Sequence, residues 1–271
     1  SCMTRRLGVI SDLHMLNKYG LVPPKFRLAG GEEVDPTAKY QEYLWNCWLD
    51  FARGVPPLDV LVVNGDALHG KDRKQFGTEV TSADLTDQSK AFVYAMSLLR
   101  DKVKKLWILR GTDYHEELYE ALEWAAAELD AEKWDRSRRT GFVLEGEWQG
   151  LRFNFTHHMT RGFLYKGTAA SRTAMLASVA EAEGKINRAD LIVRSHLHMK
   201  YIGKPNGKWV ILTPGWTLLN PHAIKTLEYY RGQVLSDIGA IIISSEGKGP
   251  LTIDDETFRY DPFKDEVKKL G

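Results

Sequence analysis

Six of the chain's eight histidines sit in short clusters with acidic or hydroxyl residues: Ser11-Asp12-Leu13-His14, Asn64-Gly65-Asp66, Arg110-Gly111-Thr112-Asp113-Tyr114-His115-Glu116, Thr156-His157-His158 and Ser195-His196-Leu197-His198. Carboxylate oxygens and neutral imidazole nitrogens together suit divalent ions such as Mn, Fe or Zn. No cysteine lies near any cluster, which disfavours a structural zinc site. In an extended chain residues i and i+2 face one side, so Asp12 with His14, and His196 with His198, are expected to present paired donors. Each cluster alone has a plainer reading, Asp12 as a turn cap or Asp66 as an ordinary turn acid. Neither explains why five such clusters share one chain. His69, three residues past Asp66, is expected to be supporting or structural, and His222 structural.

Distant clusters act together only if the fold gathers them, and each follows a short apolar run. Leu7–Ile10, Leu58–Val63, Leu106–Leu109, Leu151–Phe155 and Leu191–Val193 read as buried strands that deliver their last residues to a carboxyl end. Between the first three strands lie helical patterns: one capped by Asp35-Pro36 and running to Gly54, one over Asp84–Lys104, and a third follows over Glu116 to Leu129. Strands alternating with helices argue for parallel pairing, and open α/β sheets place their sites at strand carboxyl ends. The second half changes character. Phe142–Trp148 and Leu151–Phe155 read as a hairpin around Gln149-Gly150, and a helix over Thr168–Glu183 follows. Lys200–Gly203 and Trp209–Leu212 pair around Pro205-Asn206-Gly207, with further strands at Ile238–Ile243 and Thr252–Tyr260. Leu16–Val34 reads as a long loop, and this segment and Trp216–Leu235 are the expected determinants of specificity.

At 271 residues, 43% hydrophobic and 27% charged, the chain is a globular protein rather than a disordered or disulfide-built one. No repeat or linker divides it, so a single domain over residues 3–271 is expected, with Ser1 and Cys2 read as a cloning remnant ahead of Met3. Its formal charge of +1 carries no bulk electrostatic footprint for a polyanion. The absence of a long apolar run or signal peptide and the presence of only Cys2 and Cys47 lead to the expectation of a cytoplasmic protein with no membrane partner. Arg161, Lys166 and Arg172 read as a solvated basic face, Tyr19, Phe26 and Tyr114 as aromatics packing on their own domain, and Lys264–Lys269 as a solvated terminal helix.

Taken in order, these motifs resemble the calcineurin-like metallophosphoesterases, whose signature runs D-x-H, GD, GNH plus an acidic residue, a lone His and GH-x-H. The resemblance spans Leu7 to Gly215, including Thr213-Pro214-Gly215 in the place of the family's NPG segment. It implies a four-layer α-β-β-α sandwich with two mixed sheets and a dinuclear metal site at strand carboxyl ends. By position, Asp12, His14 and His198 would hold the first ion, His196 and a histidine of the 157/158 pair the second, and Asp66 would bridge them. The residue order favours His157, leaving His158 near substrate. Two divalent ions are implied, manganese first, with Fe, Zn, Ni or Mg as alternatives; the implied reaction is attack of a bridging hydroxide on phosphorus.

The third motif departs from the family. Thr112 stands at the position of the metal-binding Asn, and the catalytic histidine with its acidic partner, read as His115 and Glu116, comes two residues late. Thr112 or Asp113 is left to supply the missing ligand. A Thr in this motif resembles a phage and prophage subset, which makes a nucleotide or nucleic-acid phosphodiester the first substrate class, ahead of a phosphomonoester. A non-catalytic metal-binding scaffold on the same fold is the alternative. A metallo-β-lactamase-type hydrolase is disfavoured, because His196-Leu197-His198 is followed by Met199 and Lys200 rather than by that family's Asp and His.

Overall fold

Four apolar strands of one sheet split their side chains between two hydrophobic layers, which is why they read as nearly continuous apolar runs. In Arg5–Ile10 (β1), Leu7 and Val9 face one layer and Ile10 the other. Val62 opposes Leu61 and Val63 in Leu58–Asn64 (β4), following two short strands, Phe26–Arg27 (β2) and Glu33–Val34 (β3). Leu109 opposes Leu106 and Ile108 in Val103–Leu109 (β5), and the same split recurs much later in Ile238–Ser245 (β12). The computed structural model describes residues 3–71, 80–112, 119–158, 166–218, 236–247 and 251–258.

With Thr140–Gly141 (β6) and Leu251–Phe258 (β13), these strands form a six-stranded sheet in the order β13-β12-β1-β4-β5-β6. β1, β4, β5 and β6 run parallel, while β12 and β13 pair antiparallel. The second sheet has five strands: Val143–Trp148 (β7), Leu151–Thr156 (β8), Leu191–Arg194 (β9), Tyr201–Gly203 (β10) and Trp209–Leu212 (β11), ordered β10-β11-β9-β8-β7. It too is mixed, parallel at its centre and antiparallel at both edges.

Three cores separate four layers. Helices Lys39–Gly54 (α1), Leu85–Ser97 (α2) and Glu120–Glu128 (α3) cover the outer face of the larger sheet through Leu44, Trp48, Phe92, Met96 and Leu122. Val9, Val62, Phe155, Val193, Ile211 and Ile241 fill the space between the sheets. Helix Lys166–Ala182 (α4) lies on the smaller sheet, where Ala170, Ala174 and Ala177 at helical spacing meet Ile192, Val210 and Leu212. This is the expected α-β-β-α sandwich. No described helix is long and apolar enough to cross a membrane.

Local differences from the sequence reading have physical causes. Helix α2 stops at Ser97 instead of Lys104, because Val103 and its successors pair with β4 and Arg100 donates to the carbonyls of Leu129, Val103 and Asp130. Asp35 does not cap α1: its Oδ1 accepts from Lys25 N beside the β2–β3 hairpin, and Gln41 Oε1 accepts from Thr37 N, Thr37 Oγ1 and Ala38 N. The Leu16–Val34 segment is not only a surface loop, since Leu16, Leu21 and Val22 are fully buried in the helix-side core. Helix α3 begins at Glu120, and the first turn expected from Glu116 lies outside the described residues, as do His222 and Lys264–Lys269. The Gln149-Gly150 turn has the positive φ angles, 52° and 80°, that a two-residue hairpin needs.

Candidate metal centre

The strand ends that carry the clusters are tied to one another by backbone hydrogen bonds. Asp12 N donates to Gly65 O, His14 N to Asp66 O, Ser195 N to His157 O and Trp216 N to Asp12 O. The paired residues are not extended, as their spacing suggested. Asp12, His14, Asp66, His196 and His198 all adopt left-handed φ, between 43° and 75°. Such backbone costs of order 1–3 kcal/mol per non-glycine residue and persists only where surroundings enforce it. Here cross-strand hydrogen bonds at Asp12, His14 and Asp66 hold it, so the donors turn inward at the strand ends by strain rather than by pleat.

Asp12 and Asp66 form a buried floor with His14 and His157. Asp12 Oδ1 lies 3.0 Å from His198 Nε2 and 3.7 Å from both His14 Nε2 and His157 Nε2. Asp66 Oδ2 lies 2.9 Å from His157 Nε2 and 3.9 Å from both His14 Nε2 and His196 Nδ1. One oxygen of each carboxylate therefore faces the imidazoles, and the other is held from behind. Asp12 Oδ2 accepts from Ser11 Oγ at 2.7 Å and His196 N at 3.2 Å, while Asp66 Oδ1 accepts from Thr112 N at 2.7 Å and Thr112 Oγ1 at 3.1 Å. His158 and His196 stand at the exposed rim, their rings 5.3 Å apart and each within 5.3 Å of His157.

Two glycines make this packing possible. A Cβ on Gly111 would run into Asp66 Oδ1 and its backbone N, and one on Gly65, at φ 92°, into the ring of His157. Behind the floor, Asn64 Nδ2 donates to Thr156 O and Ser195 Oγ, and Thr213 Oγ1 links the hydroxyls of Ser11 and Ser195. His14 Nδ1 is 3.2 Å from His69 Nδ1, whose ring also meets Asn17 Nδ2 at 3.1 Å. Asn17 went unremarked in the sequence because an isolated amide in a loop carries no signal of its own.

The electrostatics call for a cation. Burial alone would lower the His157 imidazole, but the carboxylates of Asp66 and Asp12 outweigh it and push its pKa up to about 10. Burial alone would raise the Asp12 carboxyl, yet His198, His157 and His14 together hold it well below the usual range. Among the described residues no Lys or Arg pairs with Asp12. His157 Nδ1 donates to Asn64 O at 2.7 Å, so in a neutral ring Nε2 presents a lone pair directly towards Asp66 Oδ2. Two lone pairs at that distance require a positive charge between them, either a proton or a metal ion. Three sets of donor atoms lie close enough to hold one: Asp12, His14 and His198; Asp12, Asp66, His157 and His196; and His157, His158 and His196. Their mixed oxygen and imidazole character fits a divalent ion, and at His14 and His157 the ring nitrogen facing away is engaged, by His69 and by Asn64 O, as metal-bound histidines require.

Of the residues singled out in the sequence, Asp12, His14, Asp66, His157, His196 and His198 come together, and His157 rather than His158 lies against the carboxylates. Thr112, read as a candidate ligand, donates its hydroxyl to Asp66 Oδ1, the oxygen held away from the imidazoles. Asp66 Oδ1 accepts from Thr112, and Oδ2 is the oxygen that faces the donors. Asp113, His115 and Glu116 lie outside the described residues, as do Arg161 and Tyr114. Arg172 is exposed on α4, and Tyr19 stacks on Tyr40 at 5.8 Å within its own domain.

No protein-family model matches the chain, and no curated protein matches it in sequence. Among solved structures it is similar to a variant of Vps29 from Entamoeba histolytica, with 10% identity, 94% of this chain and 99% of that one covered, and a TM-score of 0.44. A novel archaeal phosphodiesterase shows 12% identity, coverage of 93% and 99%, and a TM-score of 0.44. A predicted phosphoesterase from Streptococcus pneumoniae shows 10% identity, coverage of 95% and 91%, and a TM-score of 0.41.

Proposed function

We propose that this chain is a calcineurin-like metallophosphoesterase that uses two divalent ions to hydrolyse a phosphate ester, with a nucleotide or nucleic-acid phosphodiester as the first substrate class and a phosphomonoester as the second. The observation that carries the reading is the meeting of Asp12, His14, Asp66, His157, His196 and His198, drawn from four strand ends of two sheets, around two carboxylate oxygens. Bound there, divalent ions supply an activated water and a counter-charge for phosphate oxygens. The protein's part is to hold them: Asp66 Oδ2 is assigned the bridging position, and Thr112 keeps its partner oxygen turned away. His196 and His158 lie at the open rim, where a substrate phosphate enters. His115 is assigned proton donation to the leaving oxygen, a role worth roughly 10²–10⁴ in rate.

Manganese is the first choice of metal, followed by Fe, Zn, Ni and Mg, and the expected compartment is the cytoplasm. A charge of +1 suits a small diester better than a long polyanion, because the attraction then comes from the ions at the site. The test is hydrolysis of bis-p-nitrophenyl phosphate and p-nitrophenyl phosphate by metal-loaded wild type and Asp66→Asn. Metal-stimulated turnover that Asp66→Asn reduces to background supports the reading. Full activity in Asp66→Asn would sink the bridging role, and bound metal without turnover of either ester would favour the non-catalytic scaffold that the altered third motif suggests.

A further inference from the structure

If the site is dinuclear as just proposed and Asp12 serves the first ion, the second is left with three donors among the described residues. Thr112 stands where an amide ligand is expected, and it spends both its N–H and its hydroxyl on Asp66 Oδ1, the oxygen that faces away from the imidazoles. The three are Asp66 Oδ2, His157 Nε2 and His196 Nδ1; Asp12 also lies within reach of this set but is engaged by His198 at 3.0 Å. The structure brings a further imidazole to this side. Ring nitrogens of His157, His158 and His196 all lie within 4.8 Å of one another, and the three rings pack edge to face with centroids 5.2–5.3 Å apart. His158 is exposed at the rim, next to a buried His157 whose Nδ1 is held by Asn64 O.

We propose that His158 replaces the missing amide as the fourth protein ligand of the second ion, making that site Asp66 with His157, His158 and His196. The two sites then differ in kind. The first, built on Asp12, Asp66, His14 and His198, balances two oxygens with two nitrogens and accepts Mn²⁺. The second has three imidazoles and one carboxylate, and imidazole-rich sets select Zn²⁺ or Co²⁺ over Mn²⁺ and Mg²⁺. A mixed-metal centre follows, with exchange of the second ion governed by a residue at the rim.

Titration of metal-free full-length protein with Co²⁺ and Zn²⁺, followed by calorimetry and by the visible absorption of Co²⁺, tests this without reference to turnover. Wild type is expected to bind two ions, and His158→Ala to bind the first unchanged and the second at least about 100-fold more weakly, beyond the range typical of a supporting residue. His158→Asn, which restores an amide oxygen, recovers part of the loss and shifts preference towards Mn²⁺. Thermal melting of the metal-free variants is expected to match wild type because the side chain is exposed. Unchanged second-ion affinity in His158→Ala overturns the assignment while leaving the dinuclear reading intact, as does a loss confined to Asp113→Ala. A wild type that takes up no ion overturns both.

Discussion

Asp66 has one oxygen turned to the imidazoles and one to Thr112, and that division depends on a missing side chain next door. Gly111 leaves only enough room for a hydrogen where a Cβ would meet Asp66 Oδ1. Gly111→Ala is expected to rotate or displace the carboxylate and weaken metal affinity by at least about 10-fold, read by calorimetry, with the fold retained by circular dichroism. Thr112 separates two roles by substitution. Thr112→Ser keeps the hydroxyl donor and is expected to behave as wild type. Thr112→Val keeps only the backbone donor and is expected to lose roughly 10–100-fold in metal affinity, the range of a residue that orients a ligand. Complete loss of one ion in Thr112→Val would instead make the hydroxyl a ligand.

At the scale of elements, the loops that carry the candidate metal donors are braced from the helix layer. Gln88, fully buried on α2, accepts from His69 N and Gly70 N and donates to Gly70 O and Ser82 O, so one side chain closes the loop that follows Asp66. His69 on that loop then supports His14. Replacing Gln88 with Leu leaves buried backbone groups unsatisfied, and a loss of about 2–4 kcal/mol is expected in urea unfolding, together with weakened metal binding. His69→Ala is expected to spare stability more than metal affinity, because it removes the support of His14 and not the loop closure. The base of the Leu16–Val34 segment belongs to the same layer. Leu16, Leu21 and Val22 are core, so specificity is better tested by substitutions in the exposed Ala29–Glu33 turn than by deleting the segment.

For the molecule as a whole, two carboxylates away from the site join elements across the larger sheet and set its acid limb. Asp59 on β4 accepts from Arg6 N and ion-pairs with Arg5 and Lys104, and Glu123 on α3 accepts from Thr140 N, Thr140 Oγ1, Arg139 N and Arg110. Burial raises both carboxyls, but these donors outweigh it, bringing Asp59 down to about 2 and lowering Glu123 from its ordinary value. A depressed folded pKa means that the stabilisation is complete above the unfolded pKa, about 4, and is lost as pH falls towards the folded values. The melting temperature is therefore expected to fall between about pH 4 and pH 2, and Asp59→Asn with Glu123→Gln to flatten that limb. An unchanged slope in the double variant would place the acid sensitivity in the metal-site carboxylates instead.

The strands, their parallel order and the clusters at their carboxyl ends were legible in the residues, because apolar runs and turn chemistry are local signals that a short stretch of chain carries by itself. Asp12, His14, Asp66, His157, His196 and His198 were legible for the same reason, as donor types at fixed spacing. What only the tertiary structure decided was how these donors aim. Left-handed backbone at Asp12, His14, Asp66, His196 and His198, enforced by hydrogen bonds across strand ends, turned the pairs inward where an extended chain had been expected. Thr112 was drawn to Asp66 by the close approach that Gly111 permits, and Asp35 was drawn away from α1 by Lys25. Each of these depends on partners 10 to 46 or more residues away in sequence, and contacts at that range leave no trace in local spacing.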